Sequence, residues 1–129
     1  MIFKSYLLEQ NSDPFQKFKI FLIYGENQGL KKEFKEIIKQ NNQGCEKLNF
    51  LQDEILLNKN ILFNEISNKS LFNEKKIILI DQVGEKIFKI MDDLIKDVTD
   101  EKIYLFCDNL DKKSKLRSDL EKSKECGVV

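Results

Sequence analysis

The chain has 129 residues, 41% of them apolar and 34% charged, with 22 Lys and Arg balanced by 22 Asp and Glu. That size suits a single domain over residues 1–129 with enough buried surface for a core, and the composition excludes a disordered chain. The charge balance excludes a strongly basic footprint for nucleic acid, so DNA is expected only as a weak or indirect partner.

Residue usage is skewed. There is no Ala, His or Trp, and Arg117 is the only arginine among many lysines. Lys, Ile, Asn and Phe are all frequent, residues with A/T-rich codons, so a Lys in place of Arg carries little functional weight. The cysteines are Cys45, Cys107 and Cys126, with no Cys-x-x-Cys pair and no His to join them. A four-ligand zinc site is therefore not expected, nor is any other metal or cofactor. An odd cysteine count without a secretory signal fits a reducing, cytoplasmic location. The N-terminal MIFKSYLLEQ is too short and too soon interrupted for a membrane span.

In chain order, Lys19 to Tyr24 is a continuous apolar run ending at Gly25, the pattern of a strand buried on both faces. Leu30, Phe34, Ile37 and Ile38 then recur at helical spacing, which predicts a helix over about 27–40 that Asn41-Asn42-Gln43-Gly44 ends. Cys45 to Phe50 reads as a weak strand, and 52–68 as one or two short helices. Lys76 to Asp81 is the clearest strand. Ile87, Phe88, Met91, Leu94, Ile95 and Val98 form a helical stripe, and Lys102 to Phe106 is another buried strand. Asp111 is placed to cap a last helix over about 112–124, and Gly127-Val128-Val129 reads as the start of a strand that is cut off. Buried strands alternating with amphipathic helices predict an α/β fold, a parallel sheet with helices on both faces. The runs at 20–24, 77–81 and 102–106 are expected side by side or one apart.

The first strand-to-helix turn is where such a fold would hold phosphate. A P-loop needs Gly-x-x-x-x-Gly-Lys-[Ser/Thr], so that backbone amides, a lysine and a hydroxyl meet phosphate and magnesium. Here the turn reads Gly25-Glu26-Asn27-Gln28-Gly29-Leu30-Lys31-Lys32. The glycine spacing is one residue short, Leu30 stands where the lysine should be, no Ser or Thr follows, and Glu26 would repel phosphate. Asp81 ends its strand as a magnesium-holding acid would, but Gln82 follows it, so the second acid is missing. Asp108 and Asn109 end the next strand without a clearer role. Without His, no nucleophile–base pair stands out, and Asp92 and Asp93 fall on the polar side of a helix. Nucleotide binding at Gly25, Gly29 and Asp81 is not expected.

Two further segments stand out. In Asn68 to Lys76 the adjacent Leu71 and Phe72 are large hydrophobes in an otherwise polar stretch. Neighbours in sequence cannot both point down one helix face. Either the pair folds under as a local plug, or at least one of the two is displayed as an anchor for a partner's pocket. Over 110–124, six Lys and Arg face three Asp and Glu. Lys112, Lys113 and Lys115 are the candidates there for a subunit or DNA contact, against the plainer reading of a solvated helix start.

The order of these pieces resembles the delta subunit of the bacterial DNA polymerase III clamp loader. The resemblance rests on the Tyr24-Gly25-Glu26 turn, on Ser70-Leu71-Phe72-Asn73-Glu74-Lys75-Lys76 running into an apolar strand, and on Asp108 to Leu116 after the next strand. It covers essentially the whole chain and corresponds to the first of that family's three domains. It implies an AAA+-type fold that has lost its ATP site, and a role in DNA replication as a binding module without enzymatic activity. In that family the Leu-Phe pair enters a hydrophobic pocket of the sliding clamp and helps open the ring. The role carries over to Leu71 and Phe72, flanked by Ser70 and Asn73. The lid and collar domains are absent from this chain, so contact with other clamp-loader subunits is expected only where those domains are present. Competing readings are a weak NTPase or nucleotide-sensing domain using Asp81, and a generic α/β interaction domain with Leu71 and Phe72 buried.

Overall fold

The computed structural model describes residues 2, 4, 8, 10, 11, 17–25, 28–58, 60, 76–87, 90, 102–108, 121 and 126–129. Within them the chain runs β1 (Ile20–Tyr24), α1 (Gln28–Asn41), β2 (Glu46–Leu51), α2 (Gln52–Leu57), β3 (Lys76–Val83), a 3-10 turn (Glu85–Ile87), β4 (Lys102–Cys107) and β5 (Cys126–Val128). The five strands form one sheet in the order β2-β3-β4-β1-β5, and every pairing is parallel. The three strands read most clearly in the sequence are contiguous, with β4 between β3 and β1. The fold is α/β, as the alternation of apolar runs and helical stripes predicts. A single parallel bridge from Ile2 to Val128 lies beyond β5.

The central strands are apolar on both sides because both sides are buried. Ile20, Leu22, Ile78, Ile80, Ile103 and Leu105 enter one apolar cluster, which Ile55 of α2, Ile87 and Ile90 join. The alternate residues Phe21, Ile23, Ile77, Leu79, Tyr104 and Phe106 enter a second cluster with Phe34 and Ile38 of α1 and with Leu8 and Phe18. β2 carries a weaker signal for a physical reason: it is an edge strand. Only Leu48 and Phe50 are half-buried, and Glu46, Lys47, Asn49 and Leu51 are exposed.

α1 begins and ends within a residue of its predicted limits. Its apolar side packs through Phe34 and Ile38, both buried. Beyond its end the buried Asn42 donates from Nδ2 to the Ile38 carbonyl at 2.7 Å and shares a side-chain hydrogen bond with Tyr104. Tyr104 is fully buried in β4. Burial holds its phenol well above the ordinary tyrosine value, and the Asn42 bond only partly opposes this. One amide thus satisfies the helix end and the only hydroxyl of the central strand.

β3 runs longer than the sequence pattern suggests, and it is not regular. Ile80 pairs with Leu105 but Val83 pairs with Cys107, so β3 takes three steps where β4 takes two. That is a β-bulge, and Gln82 occupies it with φ of 54°. The bulge restores parity. Ile78, Ile80 and Val83 all reach the same cluster, although positions 80 and 83 of a regular strand face opposite ways.

Of the predicted helices over 52–68, 87–98 and 112–124, only Gln52–Leu57, the turn at Glu85–Ile87 and single helical residues at 60, 90 and 121 fall among the described residues. The remainder lies outside them.

Gly127 gives a direct test of the packing. It sits opposite Phe21 in the β1–β5 register, and a Cβ there would lie 2.3 Å from the Phe21 ring. Phe21 is fully buried and cannot retreat. Gly127→Ala is therefore expected to lower stability by about 1–3 kcal/mol, the usual cost of overpacking, measured by urea denaturation. A variant as stable as the parent would refute the packing of β5 on β1.

Candidate functional site

The C-terminal ends of β1, β3 and β4 lie side by side at one edge of the sheet, and α1 starts beside them. Parallel α/β sheets form their ligand crevices at this edge. A cleft of about 470 Å³ opens there, lined by Gln28, Lys31, Lys32, Lys35, Leu51, Asp81, Gln82, Phe106 and Asp108. Among the described residues, three lysines of one helix thus face two aspartates from two strand ends.

Gly25 closes β1 with φ of 139°, backbone that L side chains rarely adopt. Its N–H donates to the Asp108 carbonyl at 3.1 Å. The ends of β1 and β4 are thereby pinned together. Gly29 lies in the first turn of α1, exposed, on the helix surface near Lys32, Glu33 and Ile37.

Lys31 and Lys35 are four residues apart and so share a helix face. Each reaches a strand end. Lys31 is nine-tenths buried, and its Nζ donates to the Cys107 carbonyl at 2.9 Å and to Asp108 Oδ1 at 3.0 Å. Lys35 Nζ donates to Asp81 Oδ1 and lies 4.9 Å from the centre of the Phe106 ring, a favourable place for a cation. Gln28 Nε2 also donates to Asp108 Oδ1, at 3.0 Å. These donors, Lys31 first and Gln28 next, hold the Asp108 carboxyl below the ordinary aspartate value.

Asp81 is aimed by the bulge. It precedes Gln82, and just beyond them the Gly84 N–H donates to Oε1 of the buried Gln52 at 2.7 Å. Gln52 opens α2, so the bulge is held from a second element. Backbone in the left-handed region at a residue other than glycine is found where surrounding structure imposes it, often at functional sites.

Of Gly25, Gly29 and Asp81, the positions that the sequence compares with a phosphate site, Gly25 and Asp81 come to the same edge of the sheet. Leu30 stands where a P-loop would carry its lysine, and the next residue, Lys31, delivers an ammonium to the end of β4. Lys31 and Lys35 stand at i, i+4 spacing in the sequence, but that spacing does not point to partners 77 and 46 residues away. Ser70, Leu71, Phe72 and Asn73 lie outside the described residues, as do Lys112, Lys113 and Lys115. Among the described residues no group of three or more His, Cys, Asp or Glu side chains could hold a metal ion, and no helix is long and apolar enough to cross a membrane.

The Lys31–Asp108 contact predicts a titration. A depressed carboxyl pKa means that the pairing favours the fold above the ordinary aspartate value and that this contribution is lost as pH falls through the lower folded value. NMR titration of the Asp108 carboxyl is expected to give a midpoint below that of an ordinary aspartate in the parent and to move upward in Lys31→Gln. An unchanged midpoint in the variant would show that Lys31 is not its partner. No protein-family model matches this chain, and no curated protein matches it.

Proposed function

We propose that this domain is a clamp-loader delta-type module that binds the DNA polymerase sliding clamp, and not an enzyme. In this reading the chain has an AAA+-like layout, with helices on both faces of the sheet and no working ATP site. Two features support that layout. α1 shares one apolar cluster and α2 the other. The step from β1 to β2 crosses the sheet in the direction opposite to the later steps, and right-handed crossovers then put the connecting helices on opposite faces.

The observation that carries the loss of the ATP site is the internal neutralisation of the cleft. Asp81, the residue placed to hold magnesium, is paired with Lys35 instead. No Ser or Thr follows Gly29, and no second acid follows Asp81. A magnesium-bound nucleotide would have to displace a lysine from Asp81 and would find no hydroxyl ligand. Binding of a clamp would instead act mechanically, by favouring an opened ring over a closed one. The energy of ATP hydrolysis would come from sister subunits.

The clamp contact itself is assigned to Leu71 and Phe72 from the sequence. Burying two such side chains in a partner is worth roughly 3–6 kcal/mol before losses, and about 1.4 kcal/mol is tenfold in affinity. The double variant Leu71→Ala, Phe72→Ala is expected to lose clamp binding by orders of magnitude in a pull-down while its melting temperature stays near that of the parent. A large fall in melting temperature would instead mark the pair as core. Undiminished clamp binding would remove it from the interface. Calorimetric titration with Mg-ATP is expected to give no specific heat, and saturable micromolar binding would overturn the reading of a lost ATP site.

A further inference from the structure

Asp108 has the surroundings of a bound anion. Its Oδ1 takes two donors from α1, Gln28 Nε2 and Lys31 Nζ, each at 3.0 Å. The two sides of this contact differ in freedom. The Lys31 side chain is 10% exposed and the Asp108 side chain 78% exposed. Lys31 is also held from below by the Cys107 carbonyl at 2.9 Å, so the ammonium stays in the cleft whatever the aspartate does. The backbone of Asp108 is fixed separately, by the Gly25 N–H on its carbonyl. Its carboxylate can therefore swing into water by side-chain rotation alone.

We propose that this cleft is a binding site for a small oxyanion of the phosphate type, and that the Asp108 carboxylate is a tethered occupant which an incoming oxyanion displaces. Lys31 and Gln28 supply the donors that Asp108 now uses. Lys32 adds a third: it lines the same cleft, is exposed, and makes no ion pair among the described residues. The other carboxylate lining the cleft among the described residues, Asp81, is neutralised by Lys35, so it opposes an anion less than a bare aspartate would. Charge-assisted hydrogen bonds from an ammonium are the stronger kind, and Lys31 is already stripped of water on most sides. The built-in competitor keeps affinity low in the parent chain, and no metal is required. This inference does not rest on clamp binding.

The test is a titration of the full chain with inorganic phosphate, followed through backbone amide NMR shifts, in magnesium-free buffer. Asp108→Ala removes the competitor, and Asp108→Asn removes its charge while keeping its shape. Both are expected to saturate at phosphate concentrations at least tenfold lower than the parent, with shifts centred on Gln28, Lys31 and Lys32. Adding Lys31→Gln to either is expected to abolish the gain. Equal saturation in parent and both variants, or a gain that survives Lys31→Gln, would overturn the proposal. Parallel titrations with metal-free ATP identify the source of the phosphate group. Equal affinity for ATP and phosphate assigns the free ion. Tighter ATP binding that still depends on Lys31 assigns a nucleotide, keeping the oxyanion site while contradicting the reading of a lost ATP site. Failure of the clamp pull-down would leave this site untouched.

Discussion

β4 is hydrogen-bonded on both edges, to β3 and to β1, and its residues from Ile103 to Cys107 are all buried. A parallel strand in that position has no solvated face, so apolar layers must cover it on both sides. Parallel neighbours also cannot be joined by hairpins, and each connection must return across the sheet to the starting edge. The two apolar clusters, the helices that enter them and the gathering of strand C-termini at one edge all follow from that requirement.

Gathering the strand ends has an electrostatic consequence. β3 carries Asp81 near its end and Asp108 directly follows β4, so parallel pairing brings two carboxylates to the same edge of the sheet. α1 answers with two ammonium groups one helical turn apart, each bonded to one of them. The pairs differ in kind. Lys31 is buried, and its contact with the Cys107 carbonyl keeps it satisfied even without its aspartate. Lys35 and Asp81 are both partly exposed, and pairs of that kind contribute little to stability on their own. Their value lies in position: they fix where α1 begins relative to the sheet, and they decide which charges the cleft still offers to a ligand.

Much of the sheet was legible because its signals are local. An uninterrupted run such as Ile77 to Ile80, short and rich in β-branched side chains, fits a strand covered on both faces. Leu30, Phe34, Ile37 and Ile38 can share a surface only on a helix. The edge strand was the least legible because half-exposed Leu48 and Phe50 alternate with polar residues, a weaker pattern. The bulge was not legible at all. Whether position 83 faces the same way as position 80 depends on how β3 pairs with β4, and Val83 is an unremarkable residue for either face.

Residue types and their spacing within a few positions are enough to read the fold class, the positions of the central strands and the absence of a P-loop lysine and hydroxyl after Gly29. The strand order, the aim of Asp81 and the pairing of Lys31 with Asp108 and Lys35 with Asp81 emerge only when the chain folds. Those depend on which residues, dozens of positions apart, are brought within hydrogen-bond reach, and the reach of an ammonium on a four-carbon stem is set by packing around it and not by its neighbours in the chain.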